Sequence, residues 1–253
     1  MARAKRGATD LSGIIAVDKP RSMTSHDVVN EIRRITGEGR IGHAGTLDPM
    51  ATGLLLICVG PATRLSNQIM SHDKTYQARI VFGIATDTDD AEGRVIASAP
   101  LPEKLADTRF AEQVLEAFIG TQEQLPPQFA AIKKDGRKAY QIARQGGLIE
   151  FDPRTVTVHS LRLIEARDDF WDIEASVSKG TYIRSLARDL GEAVGSRAHL
   201  AILRRIQCGK LTVDQACTLE KLRSSSGDLC EFFLDPCRDL GIPEKLVLKE
   251  RSG

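Results

Sequence analysis

The sequence has no run of about 18 consecutive apolar residues, the length a membrane-crossing helix needs. Its longest apolar stretch is Leu54-Leu55-Leu56-Ile57-Cys58-Val59, which suits a buried strand. No Cys-x-x-Cys pair occurs. The five cysteines, Cys58, Cys208, Cys217, Cys230 and Cys237, are odd in number and widely spaced. That usage fits reduced thiols in a cytoplasmic protein, not a disulfide framework. The histidines do not pair at metal-ligand spacing on any one helix, so no zinc site is expected. A glycine-rich phosphate loop is missing too, so no nucleotide cofactor is expected. Nor is there an excess of one charge sign: 35 Lys and Arg stand against 34 Asp and Glu. This near-neutrality argues against a general polyanion binder, although a local basic patch is sufficient for nucleic acid. Residues 1–10 are basic but lack the apolar run of a secretion signal, and are expected to form a loose, solvated arm.

What is present is an ordinary globular composition, 42% hydrophobic and 27% charged over 253 residues, long enough for one large domain or two small ones. Gly13 to Val17 is a short apolar strand. Ser25 is expected to cap a helix carrying Val28, Ile32 and Ile35 on one face, with Gly37 ending it. Alternation predicts a strand over 75–83, and helices are expected over 109–119 and 137–145. In 155–164 the apolar face changes between Val158 and Leu161, which predicts a bulge. Trp171, Ile173, Ala175 and Val177 share one face of a further strand. Ile183, Leu186, Ala187, Leu190 and Val194 line one side of a helix over 182–194. The mixture predicts an α+β (mixed α/β) fold with a largely antiparallel sheet. Ser224-Ser225-Ser226-Gly227 marks a boundary, and the tail it opens, 224–253, is too short for a domain of its own.

The most unusual stretch is Gly42-His43-Ala44-Gly45-Thr46-Leu47-Asp48-Pro49-Met50-Ala51-Thr52-Gly53. Its glycines permit tight turns or close approach of another molecule. Pro49 fixes the backbone and biases Asp48 toward extended conformation. A carboxylate so held can act as nucleophile, base or electrostatic stabiliser. On spacing alone it can equally be an Asp-Pro turn, and His43 an ordinary loop histidine.

The whole segment resembles the signature loop of the bacterial tRNA pseudouridine synthase B family, whose members modify position 55 in the T-loop of tRNA. Asp18-Lys19-Pro20 with Thr24-Ser25 resembles that family's first motif. Lys74-Thr75-Tyr76 resembles the second, and Lys179-Gly180-Thr181-Tyr182-Ile183-Arg184-Ser185-Leu186-Ala187 the third. The resemblance covers roughly 11–222 and implies the pseudouridine synthase fold, with a catalytic domain over 11–223. It implies that Asp48 is the catalytic residue, that Tyr76 stacks on a flipped uracil, and that Arg184 pairs with Asp48. By the same resemblance three residues belong with the substrate. His43 fills the space the base vacates, Tyr182 lines the site, and Lys19 supports the catalytic loop. Uridine isomerisation moves no electrons to an acceptor and needs no metal, so no cofactor is implied.

Lys133, Lys134, Arg137 and Lys138 put four basic side chains into a short stretch within 125–147, which resembles the family's thumb-like insertion. Phosphate contacts from such a patch are expected to bind the T-arm of tRNA. Arg204 and Arg205 are a second candidate phosphate contact. A monomer acting without an obligate protein partner and without a membrane is the default. The sequence departs from the family pattern in three places. Ser22 stands where members usually have glycine. Phe129-Ala130-Ala131 replaces Tyr-Ser-Ala. The chain also stops short of a small C-terminal RNA-binding domain, so a weaker grip on full tRNA is expected. Three other readings stay open: an RNA-folding protein, a synthase acting on another RNA, and a glycoside hydrolase. The last generally needs a second carboxylate at defined separation.

Overall fold

The computed structural model describes residues 9–129, 133–134, 137–138, 151–225 and 229–251. In chain order the elements are β1 (Gly13–Lys19), α1 (Ser25–Thr36), β2 (Ile41–His43), β3 (Thr52–Val59), α2 (Ser66–Met70), β4 (Lys74–Phe82), β5 (Ile84–Thr86) and β6 (Val95–Ser98). There follow α3 (Thr108–Glu116), β7 (Gly120–Gln124), β8 (Lys133–Lys134), β9 (Arg137–Lys138), β10 (Arg154–Ala166), β11 (Phe170–Val177) and α4 (Ile183–Ala193). Last come β12 (Ala198–Cys208), β13 (Leu211–Thr212), α5 (Leu219–Ser224) and α6 (Glu244–Arg251). The fold is mixed α/β with largely antiparallel pairing. It divides into two compact units: Met1–Thr75 with Arg204–Gly253, and Tyr76–Leu203.

In the first unit β3 is the centre. It pairs antiparallel with β1 from Gly13↔Val59 to Lys19↔Gly53. It also pairs antiparallel with β2 through Ile41↔Val59 and His43↔Ile57, and parallel with β12 at Arg204↔Thr52 and Arg205↔Gly53. Buried on both faces, β3 needs the continuous apolar run that its sequence supplies. Gly53 has φ +101°, and a Cβ there would lie 2.3 Å from the Arg205 carbonyl oxygen, so only glycine allows this strand start. The chain after α5 returns to β1. The Leu234 N–H donates to the Ile14 carbonyl at 2.8 Å, and Leu240 and Ile242 join Ile14, Leu54 and Leu56 in the core.

Helix α1 begins one residue differently from the sequence expectation. Thr24, not Ser25, is its N-cap, in a reciprocal capping box with Asp27. Gly37 ends it at φ +68° as expected. The hydroxyl of Ser25 is thereby released for another partner.

In the second unit the strand order is β4-β11-β10-β7. The expected bulge is present, as a register shift between Val158 and Ser160, with a second between Leu163 and Glu165. Trp171 anchors this core: it is fully buried, its indole N–H donates to the Leu105 carbonyl at 2.7 Å, and its ring meets Phe82 edge-on at 4.7 Å. Satisfying the indole N–H lets a large ring be buried without leaving a polar group unpaired. Of the helix expected over 137–145, Arg137–Lys138 is instead strand, paired with Lys133–Lys134. The rest lies outside the described residues.

Candidate active site

The first unit holds Asp48, His43 and Lys19; the second holds Tyr76, Tyr182 and Arg184.

Asp48 sits in a loop between β2 and β3, half-buried between Leu47 and Pro49. Leu47, Met50 and Ala51 are buried, so apolar neighbours hold the backbone on both sides of Asp48. The Ala51 N–H closes a turn onto the Asp48 carbonyl at 3.1 Å. Proline at the second position of that turn sets its φ in advance.

Three side chains grip this loop from outside. Lys19 is fully buried, and its ammonium donates to the carbonyls of Met23 (2.6 Å), Pro20 (3.0 Å) and Pro49 (3.3 Å). It is therefore a loop support, and grouping it with RNA-contacting residues is corrected: a wholly buried ammonium does not reach a phosphate. Arg205, 2% exposed, donates to Leu54 O at 2.6 Å and Gly45 O at 3.1 Å. Its burial likewise corrects the reading of Arg205 as a phosphate contact. Arg204 forms a bidentate pair with Asp18 at 3.0 and 2.8 Å. Ser25 is the third grip: its Oγ donates to the Leu47 carbonyl at 3.0 Å and accepts from the Leu47 N–H at 2.8 Å.

Ser22 adds a fourth tie through its backbone, whose N–H donates to the Pro49 carbonyl at 2.9 Å. Its φ is +69°, in the left-handed region that costs an L-residue about 1–2 kcal/mol. This explains the expected glycine at that position. Ser22→Gly should raise stability by about 0.5–1 kcal/mol after the added chain entropy is discounted. Urea unfolding of the two proteins checks it, and an unchanged midpoint would show that no strain is relieved.

His43 lies on β2 with its Nδ1 buried and without a hydrogen-bond partner among the described residues. Burial, then the positive charge of Arg205 and of His26, pushes its pKa below the ordinary imidazole value. The folded state thus favours neutral imidazole, while the unfolded chain takes up a proton near pH 6.5. Stability is full above that pH and declines as pH falls below it. His72 shifts the same way, through burial and Lys74. Comparing urea unfolding at pH 7.5 and 5.5, His43→Gln should lose less stability on acidification than the parent chain. An equal loss would show that His43 carries none of this pH dependence.

In the second unit Tyr76 stands on the buried face of β4 with Ala78, Ile80 and Phe82, 9% exposed. Tyr182 is the N-cap residue of α4. The Gln124 side-chain amide clasps its backbone from both sides, donating to its carbonyl at 3.1 Å and accepting from its N–H at 2.8 Å. Arg184, the second residue of α4, is 5% exposed. Its Nη1 donates to Thr88 O at 3.1 Å and lies 3.6 Å from Asp90 Oδ2, and its Nη2 donates to Phe129 O at 3.3 Å. Asp90, itself 5% exposed, accepts from the Thr88 hydroxyl at 2.6 Å and the Glu92 N–H at 3.0 Å. Arg188 on the next turn binds Asp89 at 3.1 Å and the Leu125 carbonyl at 3.0 Å. Burial raises the Asp89 carboxyl pKa against the opposing pull of Arg188 and Arg184. Asp90 and Ser25 were missed by sequence reasoning. Asp90 sits in Thr88-Asp89-Asp90, which looks like a solvated turn, and its partner lies far along the chain. Lys133, Lys134, Arg137 and Lys138 pair as a short hairpin, Lys133 opposite Lys138 and Lys134 opposite Arg137.

The pattern described as the TruB family pseudouridylate synthase N-terminal domain matches residues 33–183. That of the tRNA pseudouridylate synthase B C-terminal domain matches 184–230. A protein named tRNA pseudouridine synthase B from Bordetella parapertussis is 42% identical over 221 residues, 87% of this chain and 91% of its own length. One of the same name from Psychrobacter cryohalolentis is 40% identical over 238 residues, 91% of this chain and 66% of its own. Among solved structures, a Cbf5-Nop10-Gar1 complex contains a chain of similar fold, with TM-score 0.66 and 28% identity. The match covers 92% of this chain and 58% of that one, so this chain spans little more than half of that neighbour. The two patterns cover most of the sequence, the loop from Gly42 to Gly53 included, and the chain belongs to the TruB family of pseudouridylate synthases.

Proposed function

We propose that this protein isomerises uridine to pseudouridine at position 55, in the T-loop of tRNA. The observation that carries the reading is the loop from Gly42 to Gly53, in which Asp48 lies between a buried Leu47 and a turn-forming Pro49 with gripping side chains on both flanks. The names of the curated relatives support tRNA as substrate.

The chemistry breaks the bond from ribose C1′ to uracil N1, turns the base, and joins C1′ to C5. The C5 proton leaves and N1 gains a proton, so the reaction balances without oxidant or nucleotide. The base must first leave its stack, which costs a few kcal/mol. Asp48 is the catalytic carboxylate, by attack on C1′ or by taking a proton along a glycal route. Tyr76 and Arg184 complete the catalytic set, the tyrosine as the stacking partner of the extruded uracil. His43 and Tyr182 line the substrate site, and the basic run Lys133, Lys134, Arg137 and Lys138 grips phosphate. Folded RNA is read mainly by loop shape and unstacked bases, which a nearly neutral protein with one basic run can do.

The test compares three RNAs: whole tRNA, an isolated T-arm hairpin, and that hairpin with cytidine at the target position. Pseudouridine should form in the first two and not in the third. Formation only in an RNA lacking a T-loop would move the assignment to another substrate.

A further inference from the structure

Ser25 opens a helix, yet it does not cap it. Thr24 accepts from the Asp27 N–H and Asp27 from the Thr24 N–H at that end, and Ser25 lies 2% exposed with its hydroxyl directed at Leu47. That one oxygen accepts from the Leu47 N–H at 2.8 Å and donates to the Leu47 carbonyl at 3.0 Å. Leu47 is itself 3% exposed, so in this irregular loop the hydroxyl satisfies both backbone groups of the residue immediately before Asp48. It does what a neighbouring strand would do, at a place where no strand runs. Lys19 holds the carbonyl of Pro49, the residue immediately after.

We propose that Ser25 is a positioning residue for the reaction, fixing the Leu47–Asp48 peptide and thereby the direction from which the Asp48 carboxylate meets the ribose. The inference rests on the reading of Asp48 as the catalytic carboxylate. Its physical basis is that a buried backbone group left without a partner drives the peptide to rotate toward water or another donor. A displacement of about 1 Å at a reacting group lowers a rate about 100-fold while leaving remote substrate contacts intact. The Ser25 hydroxyl is engaged with the Leu47 backbone, so RNA affinity should not follow the rate.

The experiment uses the full chain, a T-arm hairpin tritiated at uridine C5, and enzyme in excess. Sites are counted by stoichiometric RNA binding, so that misfolded protein is separated from slow protein. Ser25→Ala should bind RNA with full stoichiometry and affinity within about twofold, while single-turnover tritium release per bound RNA falls about 10- to 100-fold. Ser25→Thr, which keeps the hydroxyl, should recover most of that loss. Release by Ser25→Ala within twofold of the parent rate, at full stoichiometry, overturns the assignment. If Ser25→Ala loses folded protein, Ser25→Cys carries the same test, because it keeps the volume but bonds weakly. A loss of about tenfold per bound RNA supports positioning, and a parent-like rate overturns it. The unsubstituted protein is run alongside. If it releases no tritium the substrate reading fails, whereas release by it that Ser25→Ala and Ser25→Cys match removes only the role of Ser25.

Discussion

Asp48→Asn should lower single-turnover pseudouridine formation by at least about 1,000-fold while RNA affinity stays within a few-fold of the parent protein. The amide has the shape of the carboxylate but neither its charge nor its capacity to attack carbon or hold a proton. The local backbone should survive the change. The turn is closed by the Asp48 carbonyl and the Ala51 N–H, and Asn before proline is as good a turn residue as Asp. Lys19 and Ser25 hold the backbone of Pro49 and Leu47 on either side and touch no Asp48 side-chain atom in those bonds. Loss of rate with binding kept would show that the carboxylate acts in the chemical step. A residual rate within tenfold would mean that another group carries out the reaction.

The second large effect concerns the buried pair of the second unit. Arg184→Met should lower the unfolding free energy by about 3–5 kcal/mol, because it leaves the Asp90 carboxylate buried without its cation. Among the described residues Asp90 would retain the Thr88 hydroxyl and the Glu92 N–H, and the carbonyls of Thr88 and Phe129 would each lose a donor. Removing both charges in Arg184→Met/Asp90→Leu should recover part of that loss, since replacing a whole buried pair by apolar groups is often nearly neutral. Urea unfolding of the two single variants and the double variant measures the coupling directly. Strict additivity would show that Arg184 and Asp90 do not depend on each other. If Arg184 acts in the reaction as proposed, activity should stay low in both Arg184→Met proteins, because stability recovered by packing does not restore the guanidinium.

How far the sequence could be followed depended on whether a local pattern existed. β3 was legible because a strand buried on both faces has to be apolar throughout. β11 and α4 were legible because one apolar face repeats at strand and helix period. The bulge in β10 showed itself as a change of phase. β12 gave no such signal. Its inward positions include Arg205, while Ile202 is 49% exposed, so the alternation is broken at both kinds of position. Arg205 is tolerated inside because main-chain carbonyls satisfy its guanidinium, and only the folded chain supplies them.

At the candidate site, residues inside contiguous motifs were found and those acting from a distance were not. The loop around Asp48 has its glycines, proline and aspartate in one run. Ser25 looked like a cap because serine before a helical pattern usually is one; the stronger box of Thr24 and Asp27 took that role. Asp90 carries no local mark, since its meaning comes from Arg184. Lys19 is read from its motif as a support of the loop; its full burial, and the three carbonyls that satisfy its ammonium, are visible only in the folded chain.

The proposed reaction moves the glycosidic bond of a T-loop uridine from N1 to C5. Its most direct measurement is release of tritium from a T-arm hairpin labelled only at C5 of the target uridine, followed by identification of the nucleoside at that position. One equivalent of tritium should be released per hairpin, with pseudouridine at the labelled site. Stable binding of the hairpin with no tritium released, or release that leaves uridine in place, would contradict it.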